Sequence, residues 1–314
     1  MDSPNMNKQT RKEFLSRCAL GVGAAAFAAA RADAIASDAP SPNSKPEAAP
    51  GRLSLAQTVD PGMTGLKGIA IDAEGRIYAA GETGIAILDA DGKAAGLLET
   101  PQPVLCVAVA GDGSVYAGLR ETILHFGSDG GLIRAFGRKG NAPGELRYVT
   151  GLAIVNGFLF VADAGARRLN RFAANGDFVD DIEGFRIPSP FFSCAAGPDG
   201  MLYAGHTGRH RIERYDGNMR LAGHFGQAGM GPADFCGCCN PTNVALFPNG
   251  NVAAAEKGIP RLKVYDSRGT LLAYLGPEHF AAGAAGMDLA IDSGGRVALA
   301  DPVRGEIRFY ELIV

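Results

Sequence analysis

The sequence lacks an excess of positive charge. It contains 30 Lys and Arg residues against 33 Asp and Glu residues, which gives a formal net charge of −3 at pH 7. Domains that bind nucleic acid usually carry a basic patch or stripe, often interleaved with aromatic residues, and no such stripe is present. The charge therefore argues against nucleic acid and anionic membrane surfaces as partners.

The sequence also lacks the signatures of several enzyme and cofactor classes. It contains no glycine-rich phosphate loop, no serine nucleophile elbow and no c-type haem motif. The apolar run at residues 19–30 is too short and too rich in Ala and Gly to make a good membrane span. Any prediction of function therefore depends on the repeats and the cysteines.

The first 34 residues have the layout of an export signal. Basic residues precede the apolar run, and the small-residue pattern Ala32-Asp33-Ala34 follows it. The segment "TRKEFLS" resembles the twin-arginine consensus, with Lys12 in place of the second arginine, and an ordinary secretory signal is the alternative. Cys18 lacks the small neighbours of a lipoprotein signal. We therefore expect a periplasmic or extracellular protein that begins near Ile35 and carries no membrane anchor in its mature form.

Residues 35–51 are predicted to be a flexible linker. The segment "IASDAPSPNSKPEAAPG" is rich in Ala, Pro and Ser and has almost no large apolar side chains. Such a segment cannot bury enough surface to offset the entropy of ordering. Residues 52–314 remain for one folded domain.

Six repeats dominate this domain. Segments such as "GIAIDAEGRIYAAGETG" and "CVAVAGDGSVYAGLRET" each contain an apolar strand, a Gly turn and a second apolar strand, and a third strand such as "IAILDADGK" follows. The period of roughly 38 to 50 residues predicts four-stranded blades of an all-β, six-bladed β-propeller. The last repeat lacks a fourth strand, so we expect the lone strand "RLSLAQTV" (52–59) to pair with residues 306–312 and close the ring.

Two of these repeats carry a family resemblance. The segments "FLFVADAGARRLNRFAANGDFV" and "MLYAGHTGRHRIERYD" resemble the NHL-repeat consensus. The stretches "CCNPTNVAL" and "EKGIPRLKVY" are similar to ones in exported bacterial NHL-type proteins. A more distant resemblance links the chain to the gluconolactonase/regucalcin group and to the peptidyl-amidating lyase domain. The resemblance implies a six-bladed propeller, whereas the function differs widely between members.

Five of the six cysteines fall in the predicted domain, and three of them lie in "CGCC" at Cys236, Cys238 and Cys239. In propellers of this type the first strand of each blade lines the central channel. Aligning the repeats places six residues at equivalent positions near the channel mouth: Gly68, Cys106, Gly151, Ser193, Asn243 and Asp288. Cys194 lies one residue further along, and the "CGCC" loop directly precedes a first strand. We therefore expect the cysteines to gather on one face.

Three interpretations of the cysteines remain open. An exported protein meets an oxidising compartment, so Cys194 could form a disulfide with Cys236 or Cys239, whereas adjacent Cys238 and Cys239 are a poor pair. Alternatively, Cys194, Cys236, Cys238 and Cys239 could hold copper, zinc or iron, although the spacing matches no common motif. A reactive thiol is the third interpretation. Cys106 and Cys194 could also be plain buried thiols.

Other polar residues are predicted on the same face. The loops after the second strands carry His206, Glu256 and Lys257, and the third strands begin with Arg168, Arg211 and Arg261. They could line a funnel for an anionic or oxygen-rich small molecule, or the arginines could be structural. Asn243 and Asp288 could hold a channel Ca²⁺, with ordered water as the alternative.

Two classes of function follow from these interpretations. One is a binding or redox-accessory protein that meets a small molecule or a protein partner at the channel mouth through the "CGCC" loop. The other, suggested by the gluconolactonase resemblance, is a metal-dependent hydrolase or lyase that uses Asn243 and Asp288.

Overall fold

The computed structural model describes residues 50–313, so the predicted export signal and nearly all of the predicted linker lie outside the described residues. The described chain is all-β, with 2% helix and 48% strand. Short apolar strands alternate with turns in which glycine often takes a positive φ, as the repeat pattern predicts.

Four sheets each contain four consecutive antiparallel strands, and the chain enters each of them at its innermost strand. The first contains β2 (Gly68–Ile71), β3 (Ile77–Ala80), β4 (Gly84–Leu88) and β5 (Ala94–Glu99). The second contains β6 (Cys106–Val109), β7 (Val115–Gly118), β8 (Ile123–Phe126) and β9 (Leu132–Phe136). The third contains β10 (Val149–Val155), β11 (Phe158–Asp163), β12 (Arg168–Ala173) and β13 (Phe178–Ile182).

The fourth sheet contains β14 (Cys194–Ala196), β15 (Leu202–His206), β16 (Arg211–Tyr215) and β17 (Leu221–Phe225). A 3-10 turn, Thr207–Arg209, joins β15 to β16, and a second one covers Pro277–His279. Four more strands follow the fourth sheet as β18 (Asn243–Leu246), β19 (Val252–Glu256), β20 (Arg261–Tyr265) and β21 (Leu271–Leu275).

The remaining strands are β1 (Gly51–Val59), β22 (Leu289–Ile291), β23 (Val297–Asp301) and β24 (Glu306–Ile313). The strand β1 pairs antiparallel with β24 from Arg52↔Ile313 to Val59↔Ile307, which confirms the predicted pairing of the two chain ends. Gly51 and Arg52 also pair with β21, so β18–β21 and β22–β24 belong to one eight-stranded sheet that is joined through β1.

The innermost strands contact one another in sequence: β2 with β6, β6 with β10, β10 with β14, β14 with β18, β18 with β22 and β22 with β2. This close approach needs glycine at two places. A Cβ on Gly68 would lie 2.9 Å from the Cα of Cys106, and one on Gly151 would lie 2.9 Å from the Cα of Ser193. The hydrophobic core lies between neighbouring sheets, where small residues of the second strands, such as Ala80 and Ala117, are fully buried.

Candidate functional site at the channel mouth

The residues that sequence alignment placed at the channel mouth do meet there. The amide of Asn243 donates from Nδ2 to Oδ1 of Asp288 at 2.8 Å, and Oδ2 of Asp288 accepts the backbone N–H of Ile69 at 3.0 Å. The hydroxyl of Ser193 accepts the backbone N–H of Val244 at 3.0 Å. These bonds link neighbouring innermost strands around the mouth.

The arrangement of Asn243 and Asp288 differs from that of an open cation site. Both Asp288 oxygens already accept protein hydrogen bonds, and Asn243 presents its N–H₂ group, rather than its oxygen, to the carboxylate. Burial raises the pKa of Asp288 to about 6, because the surrounding strands disfavour its charged form. Within residues 50–313, no three His, Cys, Asp or Glu side chains are placed to hold a metal ion together.

A pocket of about 220 Å³ opens beside these residues. We call it the mouth pocket, and its lining includes Lys67, Tyr148, Thr150, Phe191, Phe192, Thr242 and Asn243. Of these, sequence reasoning identified only Asn243. The other lining residues lie just before or within the innermost strands of different sheets. They share this position, where the chain enters a sheet, and no sequence motif connects them.

The cysteine loop, residues 236–239, enters β18. Its first residue is anchored by Glu256 at the end of β19, because Oε1 of Glu256 accepts the backbone N–H of Cys236 at 2.8 Å. Asn240 holds the other end: its Nδ2 donates to the Cys236 carbonyl at 2.7 Å, and its Oδ1 accepts the N–H of Lys257 at 2.9 Å. The side chain of Asn240 therefore fixes both the loop and Lys257.

The sulfurs of Cys238 and Cys239 lie close together, although the sequence analysis considered these adjacent cysteines a poor disulfide pair. The Sγ atoms of Cys238 and Cys239 lie 3.1 Å apart, with Cys238 exposed and Cys239 buried. Burial opposes ionisation of the Cys239 thiol, yet its pKa is lowered overall because the Lys257 ammonium, the Ser189 hydroxyl and the Cys238 thiol favour the thiolate. The pKa of Cys238 is raised, because its thiol donates to that thiolate.

Cys194 was predicted to pair with the cysteines of this loop, and in the structure it does not. Its Sγ lies 4.0 Å from the carbonyl of Phe160, and the side chain packs in the core between the third and fourth sheets. Burial raises its pKa to about 12, so the thiol stays protonated. All five described cysteines are free. Neither the predicted Cys194 disulfide nor the four-cysteine metal site is found among residues 50–313, and Cys194 matches the plain buried thiol that was the alternative.

The predicted polar funnel is also different in the structure, because most of its members point into the protein. Nδ1 of His206 lies 2.9 Å from Glu213, and its Nε2 accepts the backbone N–H of Arg186 at 2.8 Å. Arg211 donates from Nε to the same Glu213 at 2.7 Å. Hydrogen bonds from His206, Tyr215 and Arg211 outweigh burial and lower the pKa of Glu213 to about 2.

The other two predicted arginines are engaged in the same way. Arg168 pairs with Asp181 at 2.9 Å and with Glu183 at 2.9 Å. Arg261 donates from NH2 to Oε1 of Glu256 at 2.8 Å and is buried with it. These arginines are structural, as the alternative interpretation proposed. Of the loop residues predicted to bind ligand, Lys257 remains close to the pocket, with its Nζ 5.3 Å from the ring centre of Phe191.

Comparisons with known proteins define the class of the fold. No protein-family model matches the chain, and no curated protein matches it. A streptogramin B lyase structure shares 15% identity with a TM-score of 0.57 and covers 80% of this chain and 94% of its own. Virginiamycin B lyase from Staphylococcus aureus shares 13% identity with a TM-score of 0.58 and covers 83% of this chain and 100% of its own.

A protein of unknown function from Bacteroides thetaiotaomicron shares 14% identity with a TM-score of 0.59, over 80% of this chain and 70% of its own. At these identities the likeness concerns the fold alone, and it supports a β-propeller. In the described part of the chain no helix has the length and apolar character needed to cross a membrane.

Proposed function

We propose that this protein is an exported, six-bladed, NHL-type propeller that acts as a redox-accessory protein through a Cys238–Cys239 dithiol at the channel mouth. One observation carries the proposal: the two sulfurs are 3.1 Å apart, and the buried one is next to the ammonium of Lys257. The partner is a protein or small molecule that carries a dithiol.

The contacts of the innermost strands support the proposed count of six blades. The six strands β2, β6, β10, β14, β18 and β22 contact one another in order, and β22 returns to β2. Counting β22, β23, β24 and β1 as the sixth four-stranded blade makes the eight-stranded sheet two neighbouring blades that are joined through β1.

Export favours redox chemistry over a permanently reduced thiol pair. The N-terminal segment has the layout of an export signal, and extracytoplasmic compartments sustain disulfides. Adjacent Cα atoms are about 3.8 Å apart, below the usual range for bridged cysteines. A bond between these two cysteines is therefore strained, and strained, exposed disulfides are the readily reduced ones.

The two sulfurs suit different parts of a disulfide exchange. In the oxidised protein, a thiolate of the partner dithiol attacks the exposed sulfur of Cys238, and the Cys238–Cys239 bond breaks with its electron pair on Cys239. Cys239 is a good leaving group because its thiolate is favoured by Lys257. The second partner thiolate then attacks the partner sulfur of the mixed disulfide and releases Cys238, which takes a proton from solvent.

The exchange transfers two electrons from the partner to this protein. The partner dithiol loses two electrons and becomes a disulfide, and the Cys238–Cys239 disulfide gains them and becomes the dithiol that the structure shows. The two protons of the partner thiols pass to solvent and to the cysteine pair.

The test is a redox titration of the purified mature protein in glutathione buffers, with peptide mapping by mass spectrometry. We expect a disulfide confined to Cys238 and Cys239. Its midpoint reduction potential should lie above about −270 mV, in the range of catalytic rather than structural disulfides. Cys194→Ser should leave the titration unchanged, whereas Cys238→Ser and Cys239→Ser should abolish it. A pair that stays reduced in oxidising buffer, or a disulfide that includes Cys194, would refute the proposal.

A further inference from the structure

One residue that lines the mouth pocket has an acceptor that the protein leaves unused. Asn243 lines the pocket and is only 8% exposed. Its Nδ2 is committed to Asp288, while its Oδ1 is buried without a hydrogen-bond partner. A buried amide oxygen without a partner costs free energy, so this atom favours a bound group that donates a hydrogen bond.

Two threonines add to the acceptor character of the pocket. The hydroxyl of Thr150 donates to the Phe192 carbonyl at 2.7 Å, and that of Thr242 donates to the Ala255 carbonyl at 3.1 Å. Because their hydrogens are already used, both hydroxyls can offer only lone pairs to a ligand. This part of the pocket therefore selects hydroxyl or N–H donors.

The rim of the pocket has the opposite character. Lys67 lines the pocket with an exposed side chain and forms no salt bridge with any described residue. Lys257 lies close to Phe191, itself a lining residue. Two ammonium groups beside one small cavity disfavour a cationic ligand and favour an anion.

We infer that the mouth pocket binds a small carboxylate that also carries hydroxyl or amino donors. The carboxylate faces Lys67 at the rim, and the donors face Asn243 Oδ1 and the threonine hydroxyls. The cavity of about 220 Å³ has the volume of about seven waters at ~30 Å³ each, which suits a molecule the size of a hydroxy acid or an amino acid rather than a nucleotide. Lys257 lies beside both this pocket and the thiol pair, but binding here needs no redox change of the cysteines.

Isothermal titration calorimetry with three probes tests the inference. L-Serine carries both the carboxylate and the donors, propionate carries the carboxylate alone, and glycerol carries the donors alone. We expect L-serine to bind about tenfold more tightly than either of the others, which corresponds to one good hydrogen bond or ion pair. Equal affinity for serine and propionate, or no binding of any probe at millimolar concentration, would overturn the inference.

Two variants test the binding of the carboxylate and the binding of the donor groups separately. Lys67→Gln should weaken serine and propionate binding about tenfold and leave glycerol unchanged. Asn243→Leu should remove the advantage of serine over propionate, and circular dichroism would show that it folds. Lys93→Gln, at an exposed lysine in the β4–β5 turn, is the matched control and should behave as wild type. Unchanged serine binding in Lys67→Gln contradicts the inference even if Asn243→Leu does not fold.

Discussion

The loops that lead into β10 and β18 are each anchored by a buried carboxylate at the end of the second strand of the same sheet, but the carboxylates make different contacts. Before β10, the carboxylate of Asp163 accepts the backbone N–H groups of Arg147 at 2.8 Å and Tyr148 at 2.9 Å, together with that of Ala166 at 2.9 Å. Before β18, Glu256 accepts one backbone N–H, from Cys236, and is otherwise surrounded by buried cations.

The difference shows how one loop becomes available for chemistry. At β10 the anchoring carboxylate accepts two successive amides of the loop, so residues 147–148 are fixed to the end of β11. At β18 a single amide is enough, because the salt bridges to Arg261 and Lys263 fix Glu256. The cysteine loop, which Asn240 closes at its other end, then places Cys238 and Cys239 beside Lys257. His206 anchors the loop before β14 in a third way, through Arg186.

The largest expected effect comes from removing the charge of Glu256. Glu256→Gln keeps an acceptor for Cys236 but leaves Arg261 and Lys263 buried without a counter-charge. Burial lowers the pKa of Lys263 to about 8 even though Glu256 raises it, so losing Glu256 should lower this pKa further and make a charged Lys263 costly. We expect a loss of about 3–5 kcal/mol in the free energy of unfolding, measured by urea denaturation.

Glu99→Gln, at an exposed position of β5, is the control for this substitution and should change stability by less than about 0.5 kcal/mol. A Glu256→Gln loss as small as that of the control would show that the buried cations do not depend on Glu256.

A smaller loss is expected for the matching substitution at β10. Asp163→Asn removes one of two acceptor oxygens and turns an N–H₂ group toward a backbone donor, but it leaves no buried cation behind. We expect about 1–3 kcal/mol, again by urea denaturation, with the exposed Asp91→Asn as control. If Asp163→Asn proved more costly than Glu256→Gln, the proposed contrast between the two anchors would be wrong.

The smallest effect concerns thiol ionisation rather than stability. Lys257→Gln removes the ammonium that lowers the pKa of Cys239, so this pKa should rise toward its ordinary value. The ultraviolet absorbance of the Cys239 thiolate, taken as the difference from Cys239→Ser, should then reach half its maximal value at a higher pH. Lys93→Gln should leave the pH profile in place, and a profile that Lys257→Gln does not move would remove Lys257 from the proposed mechanism.

Much of the fold was predictable from the sequence because it is encoded locally. Alternating apolar strands and Asn-Gly or Asp-Gly turns are short-range signals, and the missing strand of the last repeat left 52–59 as its natural partner. Alignment of the repeats also placed Asn243, Asp288 and Ser193 correctly at the mouth, since equivalent positions of equivalent strands must meet around one axis.

The details of the site were not predictable because they depend on side-chain directions in loops. His206, Arg211, Glu256 and Arg261 have the same spacing whether they face a ligand or anchor a loop, and the structure shows the second. The meeting of Cys238 and Cys239 depends on Asn240 and Lys257, which no motif connects. Lys67 and Phe191 reach the mouth pocket from different sheets, so nothing in the local sequence marks them.

The pairing of β1 with β24 has a consequence for how the protein is made. These strands lie at opposite ends of the described chain, so their contacts have nearly the largest sequence separation that the domain allows. Contacts of such separation form late and slowly, since a long loop must close first. During synthesis β1 must wait without its antiparallel partner until β24 has emerged. Until then the edges of β1 and β23 stay open to pairing with another chain, and the interval before closure is when this molecule is most exposed to aggregation.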